Sequence, residues 1–70
     1  MTNKVKEYRI AKELTQDELA KLVNVRRETI VFLEKNKYIP SLRLAFDLST
    51  VFNKKIEELF SFEDELNNLT

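Results

Sequence analysis

Residues 16–35, QDELAKLVNVRRETIVFLEK, decide how this chain folds. Counted from Gln16, the fifth residue is the small Ala20, the ninth and tenth are Asn24 and Val25, and the fifteenth and eighteenth are Ile30 and Leu33. A small residue lets two helices approach closely, and an asparagine tolerates the left-handed backbone of a tight turn. The apolar set then fixes the crossing angle of the two helices. The stretch predicts one helix that ends near Val23, a turn over Val23-Asn24-Val25, and a second helix from Arg26 to Lys35 that buries Ile30 and Leu33.

The flanking sequence predicts three more helices. Lys4 to Glu13 carries Val5, Tyr8 and Lys12 on one stripe, with Val5 and Tyr8 as its buried pair. Thr15 opens the helix before the turn as an N-cap, and Glu18 completes a capping box; Leu19, Leu22 and Val23 form the expected inner face. After a loop over Asn36 to Pro40, in which the proline keeps Ile39 extended, Ser41 caps a fourth helix reaching Phe52. Its expected buried positions are Leu42, Ala45, Leu48 and Phe52. A short fifth helix, Ile56 to Phe60, closes the core. The sequence contains no glycine, so Asn24, Asn36 and Asn53, each just past a helix end, are expected to be the left-handed caps.

Length and composition bound the function. Seventy residues allow one domain. There is no cysteine, so no disulfide or thiolate metal cage, which is compatible with a reducing cytoplasm. The longest apolar run lies within Thr29 to Leu33, far short of the roughly 20 residues a membrane span needs. Thr2-Asn3-Lys4-Val5 after Met1 has no apolar signal core, and a soluble, cytoplasmic protein is expected. Net charge is zero but unevenly placed: residues 1–55 hold all 12 basic residues and seven acids, giving +5, and residues 56–70 hold five acids and no base, giving −5. Screening confines each patch to its own side within about 8 to 10 Å, so a basic body with an acidic tail can still face phosphates. With no histidine, no cysteine and no glycine-rich phosphate loop, an enzyme has little support, and no cofactor, metal or small-molecule ligand is expected.

The Gln16 to Lys35 spacing is that of a helix-turn-helix, whose second helix is shaped to enter a DNA major groove. Residues 4–60 resemble the Cro/CI-type helix-turn-helix regulators, especially small single-domain members of the lambda-repressor-like kind. The resemblance is carried by Leu14-Thr15-Gln16-Asp17-Glu18-Leu19-Ala20, by Val25-Arg26-Arg27-Glu28-Thr29-Ile30, by the loop Glu34 to Ser41 and by Ile56-Glu57-Glu58-Leu59-Phe60. It implies an all-α, five-helix DNA-binding domain over residues 1–60; the charge distribution makes 61–70 an acidic tail, a candidate part of the dimer contact.

The resemblance also implies roles. The positions matching the family's base readers are Arg26, Arg27, Glu28 and Phe32. The chemistry agrees: arginine bonds bidentately to guanine, glutamate accepts from the cytosine amino group, and an apolar group touches the thymine methyl. Gln16, Thr29, Lys35, Lys37 and Tyr38 match phosphate-contacting positions, Gln16 being the glutamine that braces the reading helix. Arg9 and Glu34 match an internal ion pair. Position 26 is usually a serine-like cap in such proteins, whereas Arg26 cannot accept from the free amides of a helix start.

The expected partners are double-stranded DNA and a second copy of the chain. A homodimer would set two reading helices about one DNA turn apart, roughly 34 Å, on an inverted repeat. In some small relatives the segment after the fifth helix pairs with the N-terminus as a short two-stranded sheet, here residues near 60–63, and Leu59, Phe60 and Phe62 are the candidate dimer contacts. A repressor acting by occlusion is the expected function. The alternative is a protein-binding module on the same scaffold, antitoxin-like or adaptor, suggested by the apolar Val31 and Phe32 on or beside the expected DNA face.

Overall fold

The computed structural model describes residues 1–62. In chain order the elements are β1 (Thr2–Asn3), α1 (Val5–Ala11), α2 (Gln16–Leu22), α3 (Arg27–Glu34), α4 (Leu42–Phe52), α5 (Ile56–Leu59) and β2 (Phe60–Ser61). The expected five helices and the short sheet are all present. The strands pair antiparallel, Thr2 with Ser61 and Asn3 with Phe60, and the Lys4 amide donates to the Leu59 carbonyl at 2.9 Å. Of the expected acidic tail only Ser61 and Phe62 are among the described residues; Glu63 to Thr70 lie outside them.

One device ends four of the helices. Asn24, Asn36 and Asn53 have φ of 57°, 61° and 52°, the left-handed region expected of them, and Glu13 joins them at 57°. In each case the next residue's amide reaches back across the helix end: Leu14 to Arg9, Val25 to Ala20, Lys37 to Phe32 and Lys54 to Ser49, at 2.9 to 3.1 Å. This closes the orphan carbonyls of each last turn without glycine. Helix starts are more varied. The Thr15 hydroxyl accepts from the Glu18 amide at 3.0 Å and Glu18 Oε1 accepts from the Thr15 amide at 2.8 Å, which completes the expected box. That backbone hydrogen bond holds the exposed Glu18 carboxyl below its ordinary pKa. Ser41 caps α4 through the Leu44 amide at 3.1 Å.

The core runs through every helix: Val5, Leu19, Ala20, Val23, Ile30, Leu33, Leu44, Ala45, Leu48, Phe52, Leu59 and Phe60 are buried. Tyr8 is half-buried against it, its ring 6.0 Å from that of Phe52 and beneath the Lys54 ammonium at 5.5 Å. Burying a leucine-sized side chain contributes about 1.5–3 kcal/mol, so the fully enclosed Leu19, Ile30, Leu33, Leu48 and Leu59 dominate the driving force.

Three expectations require correction. Leu22 is 60% exposed, and Ala20 takes its place on the inner face of α2. At 100° per residue Ala20, Leu19 and Val23 share one arc, and Leu22 lies on its far edge. Leu42 is 78% exposed, whereas Leu44 is buried. Leu42 is the first residue of α4, and a helical side chain leans toward the N-terminus, so Leu42 projects past the start of its own helix. The fifth helix stops at Leu59, because Phe60 is drawn into β2 opposite Asn3.

Candidate nucleic-acid interface

The pair α2 and α3 forms a rigid unit through the turn at Asn24. Ala20, 1% exposed, sits where the helices meet, and its carbonyl accepts from the Val25 amide at 3.0 Å. α3 turns Ile30 and Leu33 fully inward. By the 3.6-residue period, Glu28, Phe32 and Lys35 then share the opposite face, with Arg27 and Val31 beside them. Arg26, Arg27, Glu28, Phe32 and Lys35 are exposed, Phe32 by half, and Thr29 and Val31 are half-buried. The expected base-contacting set is thus brought together at the N-terminal end and outer face of one short helix.

Arg26 occupies the N-cap position of α3 in an extended conformation, and its side chain caps nothing. Lys37 and Tyr38 follow the α3 C-terminus in the loop, both exposed, where Lys37 is placed by the bond from its amide to the Phe32 carbonyl at 2.9 Å. With Lys35 they line the far end of the same helix.

Arg9 and Glu34 form a tight internal pair. Arg9 Nε donates to Glu34 Oε2 at 2.7 Å and Arg9 Nη2 to Glu34 Oε1 at 3.2 Å, with side chains 12% and 4% exposed. Arg9 Nη1 also donates to the Leu14 carbonyl at 2.8 Å, so one guanidinium ties α1, the turn after it and α3. Nearly buried charges are tolerated because each finds a charge-assisted partner.

Gln16 is placed differently from a free phosphate contact. Its Nε2 donates to Glu34 Oε1 at 3.1 Å, and its Oε1 accepts from Arg27 Nη2 at 3.3 Å. The amide nitrogen carries two protons and Glu34 takes one. Gln16 therefore braces Arg27 while half-buried at the start of α2. Of the three candidate dimer residues, Leu59 and Phe60 are 1% and 7% exposed inside the chain's own core, and only Phe62, at 43%, has surface to offer.

Asn3 carries a role that the sequence reading missed. Its Nδ2 donates to the Leu33 carbonyl at 2.8 Å and to Asn36 Oδ1 at 2.7 Å, and its Oδ1 accepts from the Val5 amide at 3.0 Å. One side chain thus caps the start of α1 and the end of α3. The available signal was an asparagine two residues before a helix, the spacing of an Asx cap.

No helix among the described residues is long and apolar enough to cross a membrane. Comparison with known proteins agrees with the geometry. A helix-turn-helix family model matches residues 5–59. A helix-turn-helix-type transcriptional regulator of Archaeoglobus fulgidus is 60% identical over 65 residues, 93% of each chain. One from Methanocaldococcus jannaschii is 51% identical, covering 93% of this chain and 98% of its own. The regulator YgzD of Bacillus subtilis is 42% identical with the same coverage, 93% and 98%. Among solved structures, the restriction-modification controller protein C.AhdI from Aeromonas hydrophila superposes with a TM-score of 0.73 at 32% identity, over 80% of this chain and 85% of that one. A chain with this turn, this outward-facing helix and these relatives belongs to the Cro/CI-type helix-turn-helix family of transcriptional regulators.

Proposed function

We propose that the protein is a sequence-specific double-stranded DNA-binding regulator, acting as a homodimer on an inverted-repeat operator with α3 in the major groove. The observation that carries this is the division of α3: Ile30 and Leu33 take up the packing, while Arg26, Arg27, Glu28 and Phe32 stay exposed on an otherwise rigid unit. Arg27 meets guanine, Glu28 the cytosine amino group, and Phe32 a thymine methyl. Lys35, Lys37, Tyr38, Thr29 and the second amide proton of Gln16 contact phosphates and set the register. The folded domain, expected over residues 1–60, extends to Ser61 through its pairing with Thr2, and the remaining residues are acidic in sequence. Bound at a promoter in the cytoplasm, such a dimer represses by occlusion, without chemistry.

The dimer contact falls to Phe62, the residue after β2, since Leu59 and Phe60 are occupied internally. Phe62→Asp is expected to give a soluble monomer with much weaker operator affinity, and an unchanged sedimentation profile would remove Phe62 from the interface.

One observation favours a protein partner instead. Ile39, Leu42 and Phe46, spaced three and four residues apart, are 63%, 78% and 58% exposed, an apolar set of the kind that marks a protein contact. Selection of random duplexes with the purified protein at two salt concentrations separates the readings. Binding through several phosphates weakens steeply with salt on a log–log plot, by a slope of about −0.9 per phosphate. An enriched inverted repeat establishes function and symmetry together; no enrichment at either salt favours the protein-binding module.

A further inference from the structure

A chain of hydrogen bonds joins the interior of the protein to its presented tip. Glu34 Oε1 accepts from Arg9 Nη2 at 3.2 Å and from Gln16 Nε2 at 3.1 Å, and Gln16 Oε1 accepts from Arg27 Nη2 at 3.3 Å. An ionised carboxylate only accepts, so it draws the donor end of a neighbouring amide toward itself. The carbonyl end of that amide is thereby turned to Arg27, whose guanidinium only donates. Reversing the Gln16 amide would fail twice over, with oxygen against the carboxylate and NH2 against the guanidinium.

We propose that Glu34 is a positioning residue for DNA reading: by fixing the sense of the Gln16 amide, it holds Arg27 in the pose from which the rest of its fork meets a guanine. The inference rests on the DNA-reading role proposed above and extends it to a side chain only 4% exposed. A free arginine at a helix start loses rotamer entropy when it docks on a base. Holding it beforehand lowers that cost and fixes the angle of its donors, which favours the matching base over the others.

The chain of donors and acceptors can be reversed by substitution. Glu34→Gln puts a neutral amide at the centre: with its oxygen in the place of Oε2 it keeps the bond from Arg9 Nε, and its NH2, in the place of Oε1, gives up the bond from Arg9 Nη2 and faces Gln16. The Gln16 amide then turns over and presents its own NH2 to Arg27, which is expelled. Adding Gln16→Glu restores an acceptor that receives from both the new amide and Arg27, with the original net charge.

The test measures two quantities for the purified full chain and each variant. One is the melting temperature. The other is the ratio of Kd values for duplexes with and without guanine at the position that Arg27→Ala shows it to read. Glu34→Gln is expected to lower this ratio about tenfold, the scale of one well-placed guanine contact. The Glu34→Gln/Gln16→Glu double variant should return it to within about twofold of the natural chain. Gln16→Met leaves the Arg9 and Glu34 pair intact, gives up in stability only the single bond to Glu34, and should lose the ratio in a chain that still folds, which keeps the proposal testable if Glu34→Gln does not fold. A purely structural Glu34 would lower stability and weaken every duplex alike, and an unchanged ratio in Glu34→Gln or Gln16→Met overturns the proposal. If the natural chain selects no duplex, the DNA reading falls and takes this inference with it; if it selects and the variants keep its guanine preference, this inference falls alone.

Discussion

The two ends of α3 are built on opposite rules. Its C-terminal end is clamped: the Leu33 carbonyl accepts from Asn3 at 2.8 Å, Glu34 is held by Arg9 at 2.7 Å, and left-handed Asn36 folds the chain back over the last turn. Its N-terminal end is open, with no side-chain cap and with Arg26, Arg27 and Glu28 in solvent. The difference shows how a domain this small can present a rigid surface. Packing and polar ties hold one end, so the other can carry side chains chosen for a partner rather than for the fold.

The clamp is where the largest effect is expected. Arg9→Ala leaves Glu34 without its charged partner, which typically costs about 3–5 kcal/mol, a large part of the stability of any small domain. Thermal or urea unfolding should show it directly, and any loss of DNA binding should follow from unfolding. An unchanged melting temperature together with abolished binding would place Arg9 in the interface and dissolve the contrast between the two ends.

At the open end the expectation inverts. Arg27→Ala should leave stability within about 0.5 kcal/mol, as for other surface changes, because the only hydrogen-bond partner it abandons among the described residues is Gln16. It should cost about 1–3 kcal/mol of affinity, concentrated at one base position. Binding titrations on duplexes varied at each position would reveal this; a loss spread evenly over all sequences would make Arg27 a phosphate clamp.

The two ends were also unequally legible in the sequence. Asn24, Asn36 and Asn53 declared themselves because asparagine in a glycine-free chain has one common use past a helix end. Glu13 did not, since nothing local favours a left-handed glutamate; the bond from the Leu14 amide to Arg9 and that from Arg9 Nη1 to the Leu14 carbonyl impose it. The buried stripes of α2 and α4 run through Ala20 and Leu44, two residues from the expected Leu22 and Leu42. Both are terminal residues of their helices, where periodicity remains but no neighbour need be present. The candidate site was legible as a set of positions through the resemblance. The link from Glu34 through Gln16 to Arg27 was not, because it depends on which atoms of three separated residues meet.

Asn3 offers a smaller test of the clamp. Asn3→Ala removes the bonds to the Leu33 carbonyl, Asn36 and the Val5 amide together. A cost of about 1–2 kcal/mol is expected, the scale of a lost cap with an acceptor left unmet. Hydrogen exchange should rise first in the last turn of α3 and at the start of α1. If exchange rose instead at Arg27 to Thr29, the C-terminal end would not be the fixed one.

The smallest effect tests why the open end is uncapped. Arg26 stands where a serine would accept from the free amides of the first turn, and Arg26→Ser should install that bond and raise stability by about 0.5–1 kcal/mol. The same change removes a cation from the presented tip, so DNA affinity should fall and its salt slope should lose about one phosphate's worth. Opposite signs in the two measurements would mean that the helix start forgoes a cap in order to keep a charge for its partner, as sequences often break a local rule where function requires it. Gains in both would show that Arg26 has no part in reading DNA and would confine the open end to Arg27 and Glu28.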